Sequence, residues 1–389
     1  MKPSTSASGN YFATYFAQGC LIPYFPLWLA SYGLTIPEIG FIVSMAYLPK
    51  LISNPLSAHI ADKTGRIQLL LVCVLVYVAS CYIVLSNQKD SSYFLLLTLA
   101  AQLGLSAVFP LSDRLALLAS QNEQHGKGYG AIRQWGSLGF AAGTIGCSII
   151  VHHTNVSPIL YLVVVSFIGA IIFCLSTERN MTTPNSGTIK LPMLTILRSP
   201  ITLIVILAGA FVQASNAHMY SFSSVGWTSQ GLSITDVGFL WIVGIGAEIL
   251  MFRWSKTVLN RVGLAGILFI GSIGTILRWI ILGSTEHYIL LLLAQLLQCC
   301  TISANNIGVM TFISRCVPPE ARTSAISLYI LLAMGIFISG LTHLDAYLSS
   351  TYSVNGFYLM AAVSALSVPL FITTYLLNSF ITRSVKHGF

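Results

Sequence analysis

Residues Tyr32–Ile42 read YGLTIPEIGFI, and Gln230–Leu240, 198 positions later, read QGLSITDVGFL. Gly33, Leu34, Ile36, Gly40 and Phe41 match Gly231, Leu232, Ile234, Gly238 and Phe239. After a further apolar stretch, Asp62-Lys63-Thr64-Gly65 stands at the same offset from Asn260-Arg261-Val262-Gly263. A register held without a gap across both matches means that the second half of the chain restates the first. Two like bundles are expected.

Composition names the solvent. Of the 389 residues 55% are hydrophobic and 8% charged, where a soluble chain carries about 25% charge, and the mean hydropathy is +0.80. This is the composition of an integral membrane protein. Apolar runs close to the roughly 20 residues that cross a bilayer begin near positions 10, 38, 68, 93, 130, 158, 201, 237, 264, 288, 325 and 355. The expected fold is all-α, with twelve transmembrane helices in two pseudo-symmetric six-helix bundles. The expected division is 1–175, a cytoplasmic linker at 176–199 that is the longest polar interruption, and 200–389.

Basic residues give the orientation, because Lys and Arg near span ends stay on the cytoplasmic side. Thirteen of 19 fall on one side if both termini share it, Lys89 falls on the other, and Lys50, Arg114, Arg133, Arg253 and Arg278 lie in or beside spans. Both termini are therefore expected in the cytoplasm and the chain in the inner membrane. The net charge of +8 reads as this topology signal and not as a nucleic-acid footprint. The start, MKPSTSASGN, leads into the first span without a cleavage pattern. Eight scattered cysteines, with no CxxC, read as packing residues. A bundle of this kind satisfies its backbone without a partner, and a monomer is expected.

Motifs narrow the class. The loop Ala58-His59-Ile60-Ala61-Asp62-Lys63-Thr64-Gly65-Arg66 resembles the cytoplasmic gating loop of the major facilitator superfamily, with Asp62, Lys63, Gly65 and Arg66 in place and Ala58 where a glycine is usual. A narrower likeness rests on Tyr129–Phe140 (YGAIRQWGSLGF), Ala217–Phe222 (AHMYSF), Gly244–Phe252 (GIGAEILMF) and Arg278-Trp279. Together these resemble the 3-phenylpropionate permease family, related to the lactose permease-type symporters. The resemblance spans nearly the whole chain. It implies secondary active transport by alternating access, coupling to protons, an aromatic carboxylate substrate and no cofactor.

Charges at hydrocarbon depth point to the chemistry, since each costs about 2.5 to 3.5 kcal/mol on insertion scales. Glu248 shares a helical face with Trp241, Ile245 and Phe252, in a span with no other acid. It is the expected proton carrier, with Arg278 modulating it and Asp113 and His218 as further proton-coupling candidates. Lys50, Arg133 and Arg278 outnumber Asp113 and Glu248 by one, and an anionic substrate completes that set. The expected substrate contacts are Lys50, Arg133, Tyr15 and Gln18, then Gln213, Asn216 and Tyr220 as one helical face, and Trp241. The bland alternative is that Asp113 with Arg133 and Glu248 with Arg278 are structural ion pairs.

Glycines at 126, 128, 130, 136, 139 and 143 crowd the fifth span and read as a surface on which helices slide. No GxxxxGK[ST] motif occurs, which disfavours drive by ATP. No metal-ligand spacing of His or carboxylates favours a membrane enzyme. Lone buried charges suit a gated site better than a charge-lined channel. Sugars and nucleosides stay open as neutral substrates, because related facilitators carry them on the same scaffold.

Overall fold

The computed structural model describes residues 1–121, 129–176, 199–352 and 355–374. The linker expected at 176–199 lies outside these apart from its two end residues, as do Gly126 and Gly128. Every regular element among the described residues is helical. Eleven helical segments are long and apolar enough to cross a membrane. The first helix, α1 (Pro3–Ser31, 29 residues), has the length but is held back in hydropathy by its Ser, Thr, Asn and Gln; it makes the twelfth.

The repeat is visible in the backbone. Helix α2 (Ile36–Met45) opens on a capping box in which the Thr35 backbone N–H and hydroxyl both donate to Glu38, at 2.8 and 2.7 Å. Helix α3 (Lys50–Thr64) completes the second span and ends at Gly65, φ 64°. Next come α4 (Ile67–Asn87), α5 (Phe94–Gln121), α6 (Tyr129–His153) and α7 (Pro158–Leu175). The seventh span is in three pieces, α8 (Pro200–Ala214), α9 (Ala217–Ser221) and α10 (Ser223–Ser229). Helix α11 (Ile234–Arg253) opens on the second capping box, where the Ser233 backbone N–H and hydroxyl donate to Asp236 at 3.2 and 2.6 Å. Helix α12 (Ser255–Ser284) is interrupted at Gly263, φ 71° and ψ 178°. The four glycines of positive φ among the described residues are Gly33, Gly65, Gly231 and Gly263, which form two pairs at the repeat offset. Each turn needs a conformation that a side chain resists.

The tenth span joins α13 (Tyr288–Leu296) to α14 (Asn305–Cys316) through a wider π turn at Cys299–Ala304. The eleventh joins α15 (Pro319–Leu331) to α16 (Ile338–Tyr352) through another at Leu332–Phe337, and α17 (Gly356–Ala365) begins the twelfth. Such turns insert a residue into the ladder and re-aim the side chains around them.

Contacts divide the chain into two compact units, Met1–Ile189 with Tyr220–Ile242, and Lys190–Met219 with Val243–Phe389. In the first unit, α1 lies against α6 at backbone distance. A Cβ on Gly139 or Gly143 would run into the carbonyl oxygens of Phe12 or Phe16, and one on Gly19 into that of Phe140. Lipid supplies no hydrophobic drive between helices, so close approach and dispersion must hold them. The glycine run expected to let helices slide is used here to hold α6 on α1. In the second unit Val205, Ile206, Val309, Phe312, Ala325 and Tyr329 pack α8, α14 and α15 together.

Candidate functional site

Two polar clusters, one in each unit, gather Asp113, Arg133 and Tyr15 in the first and Glu248 and Arg278 in the second. In the first unit Asp113, on α5, accepts hydrogen bonds from Tyr11, from Tyr129 at 3.3 Å and from Arg133 at 3.2 Å. Arg133 also donates to the Tyr129 hydroxyl at 3.2 Å, through the same terminal nitrogen. Its guanidinium remains about half exposed, at 54%, and the Asp113 carboxylate 42%. Tyr15 stacks on Tyr11 at 5.7 Å and meets the Phe109 ring edge-on at 5.3 Å. A Cβ on Gly136 would sit 3.0 Å from the Tyr15 ring and 3.2 Å from that of Tyr11. The RQWGS stretch thus sets an arginine one turn from a glycine on which two tyrosines lie. Gln18 follows half-buried on α1.

The second cluster surrounds Arg278, which is fully buried on α12. It donates to Gln295 at 2.7 Å, Gln298 at 2.6 Å and Thr301 at 3.4 Å, and its guanidinium lies 4.5 Å from the Trp279 ring centre. The Gln298 amide, whose oxygen accepts from Arg278, donates from its nitrogen to the Glu248 carboxylate. Gln298 therefore stands between the acid and the arginine, a mediated contact where the sequence suggested direct approach. Gly244 makes the room, since a Cβ there would lie 2.7 Å from the Gln298 side-chain carbon. The π turn at Cys299–Ala304 brings Thr301 to Arg278 and Ser303 to the Glu248 backbone oxygen, at 3.2 Å. Gln295 and Gln298 are uncharged residues in an apolar run, and this geometry is what gives them a role.

His218 belongs to the same unit but to a different contact. Its Nδ1 lies 2.7 Å from Oδ2 of Asp345, an acid with no exposed surface on α16. Asp345 escapes the sequence reading because it falls at the end of a predicted span. Its signal was present: it is the one acid in an apolar run of an otherwise uncharged span. Adding it makes the embedded balance three against three, so the surplus positive charge disappears unless one of the acids is protonated.

Other expected residues separate. Lys50 opens α3 directly after the interruption at 46–49, where Pro49 supplies no N–H. Its ammonium lies 4.9 Å from the Tyr47 ring centre. Gln213, Asn216 and Tyr220 do not share one helical face. The Ser215 hydroxyl donates to the Val212 oxygen at 2.7 Å and the Asn216 amide to the Gln213 oxygen at 2.9 Å, side-chain bonds that compete with the ladder and stop α8. Among the described residues, both amide atoms of buried Gln213 and Oδ1 of Asn216 lack a hydrogen-bond partner. Trp241 is 2% exposed, donates to the Ser224 hydroxyl at 3.2 Å and stacks on Tyr220 at 6.1 Å. Lys63 and Arg66 are exposed around Gly65. Asp62 lies in the last turn of α3, with its side chain outside the described set.

Comparison with known proteins agrees with this architecture. The MFS_1 like family matches residues 4–354. A probable 3-phenylpropionic acid transporter of Escherichia coli (strain K12) is 26% identical over 361 residues, covering 91% of this chain and 93% of the relative. The maltose permease of Geobacillus stearothermophilus is 24% identical over 91% of this chain and 89% of its own. Among solved structures, a mutant of the nucleoside transporter NupG superposes with a TM-score of 0.85 at 14% identity, covering 96% of this chain and all of the other. This multi-pass chain belongs to the MFS_1 like family of the major facilitator superfamily, and is a membrane transporter of small molecules and not an enzyme.

Proposed function

We propose that this chain is a proton-coupled symporter of a small aromatic carboxylate of the 3-phenylpropionate kind, working by alternating access. The observation that carries the reading is Gln298, which ties Glu248 to Arg278 through a neutral amide. A carboxylate held by an amide N–H can take up a proton and let go of that donor, whereas one locked in a direct pair gives up far more on protonation. Glu248 is the coupling acid and Arg278 acts on it through Gln298. Arg133 is the carboxylate anchor. Its bonds to Asp113 and Tyr129 use one terminal nitrogen, and the rest of the fork is available for bidentate contact. The Tyr11–Tyr15 stack beside it offers a face for a ring, and Lys50 supplies a second positive charge.

A neutral, hydroxyl-rich solute is the second reading. Gln213 and Asn216, with three buried amide atoms unpartnered, suit hydrogen bonding to a sugar or nucleoside, and the similar proteins include a maltose permease and a nucleoside transporter. We place the chain in the inner membrane with both termini in the cytoplasm, an orientation supported by the distribution of basic residues.

Purified protein in liposomes with an inward proton gradient separates the readings. Uphill uptake of 3-phenylpropionate, with KM raised at least about tenfold, or about 1.4 kcal/mol, in Arg133→Ala, is the expected result. Uptake of maltose or a nucleoside in its place selects the second reading. Flux that never exceeds equilibrium rejects symport.

A further inference from the structure

Glu248 is not the only acid in a position to carry a proton. Asp345 has no exposed surface, while the imidazole against it keeps 14% of its side chain accessible. Nδ1 and Oδ2 are 2.7 Å apart, so one of them carries a proton, because a bare nitrogen and a bare carboxylate oxygen repel. The Ser349 hydroxyl donates to the other carboxylate oxygen at 3.3 Å. Gly356, the first residue of α17, closes over the pair, and a Cβ there would collide with both His218 Nδ1 and Asp345 Oδ1. Phe357 then sets its ring edge-on to His218 at 4.4 Å.

His218 also sits on the short middle piece of the interrupted seventh span. The five-residue helix α9 is bounded by the break at Ser215–Asn216 and by Phe222, with φ −131° and ψ −16°. A buried acid bonded to a partly accessible imidazole on an interrupted helix has the geometry of a proton site. The pair communicates with the other cluster by packing. Phe357 stacks on Trp279 at 6.0 Å, and Trp279 lies under the Arg278 guanidinium and donates to the Ser215 hydroxyl at 2.8 Å, at the break itself. The titratable groups of these elements are Tyr220 on α9, His343, Tyr347 and Tyr352 on α16 and Tyr358 on α17, the last four exposed, then Arg278 on α12 and Glu286 and His287 in the loop after it.

We propose that His218 and Asp345 form a second proton-carrying site, so that two protons accompany each substrate carboxylate. This rests on the symport reading above. His218 accepts a proton at its accessible edge and passes one to the Asp345 carboxylate, and release reverses the path. No other bond changes. With Glu248 carrying one proton and the pair the other, a monoanion crosses with one net positive charge.

Liposomes holding the purified protein, with equal pH on both sides and a potassium diffusion potential negative inside, test the charge directly. For one net charge, 100 mV drives about 50-fold accumulation of 3-phenylpropionate, and Asp345→Asn abolishes that voltage dependence while a pH gradient still drives uptake through Glu248. Voltage-independent uptake by the wild type, or an Asp345→Asn protein as voltage-sensitive as the wild type, overturns the proposal. His218→Gln serves the same test should Asp345→Asn not fold. If 3-phenylpropionate is not carried at all, the substrate reading fails and the second site is judged by nitrogen NMR of histidine-labelled protein. The His218 signal, identified by its loss in His218→Gln, should respond to pH, and that response should differ in Asp345→Asn. A signal indifferent to pH, or a response unchanged in Asp345→Asn, overturns it.

Discussion

In the first copy of the repeat, Thr35 and Glu38 cap a helix that stops at Met45, and the chain resumes at Lys50. In the second, Ser233 and Asp236 cap a helix that runs unbroken to Arg253 with Glu248 inside it. Lys50 and Glu248 occupy equivalent positions at the 198-residue offset. One sits behind Pro49 with its ammonium against the Tyr47 ring, while the other is held by Gln298. What the copies share is backbone geometry: a cap where the span begins and a glycine of positive φ in the turn that follows it. What they do not share is the charged group in between. A scaffold kept twice and a charge reversed once is how one fold can give its halves different chemistry.

The difference predicts outcomes of descending size. Glu248→Gln should remove one of two coupled protons and lower the accumulation ratio of 3-phenylpropionate about a hundredfold under a gradient of about two pH units, at about 1.4 kcal/mol per unit; an unchanged ratio would remove the acid from coupling. Lys50→Met should weaken binding of aromatic acids by about tenfold, near 1.4 kcal/mol, and leave the response to a proton gradient in place. An unchanged affinity would make the position structural in the first copy. Alanine at the paired glycines should separate the copies. Gly263 has ψ 178°, a region close to glycine-only that costs about 1 to 3 kcal/mol. Gly65 has ψ −1°, nearer the left-handed region where the cost is about 1 to 2 kcal/mol. Thermal unfolding should fall further for Gly263→Ala. Thr35→Ala and Ser233→Ala should each cost about 1 kcal/mol and shift the melting temperature alike, since the two boxes are built from the same bonds.

The spans, the repeat and its glycines were legible because each is a local property, a run of apolar residues or a turn only glycine makes easily. Glu248, Arg278 and Arg133 were legible as charges in apolar surroundings. Asp345 was not, because its meaning depends on His218, 127 residues away. The expected polar face of the seventh span failed for a different reason. Ser215 and Asn216 bond back to α8 and stop it, a competition that helical spacing does not reveal.

The sequence by itself determined that this is a membrane chain of two like halves, with its turns, caps and embedded charges at fixed positions. The sequence also offered the pairs Asp113–Arg133 and Glu248–Arg278; tertiary structure alone decided that Gln298 stands between the second pair, that tyrosines surround the first, and that Asp345 answers to His218 under Gly356. In lipid both faces of a helix are apolar, so periodicity does not say which face meets a neighbour. The partners are fixed by close packing and by the need of each buried polar group for a hydrogen bond.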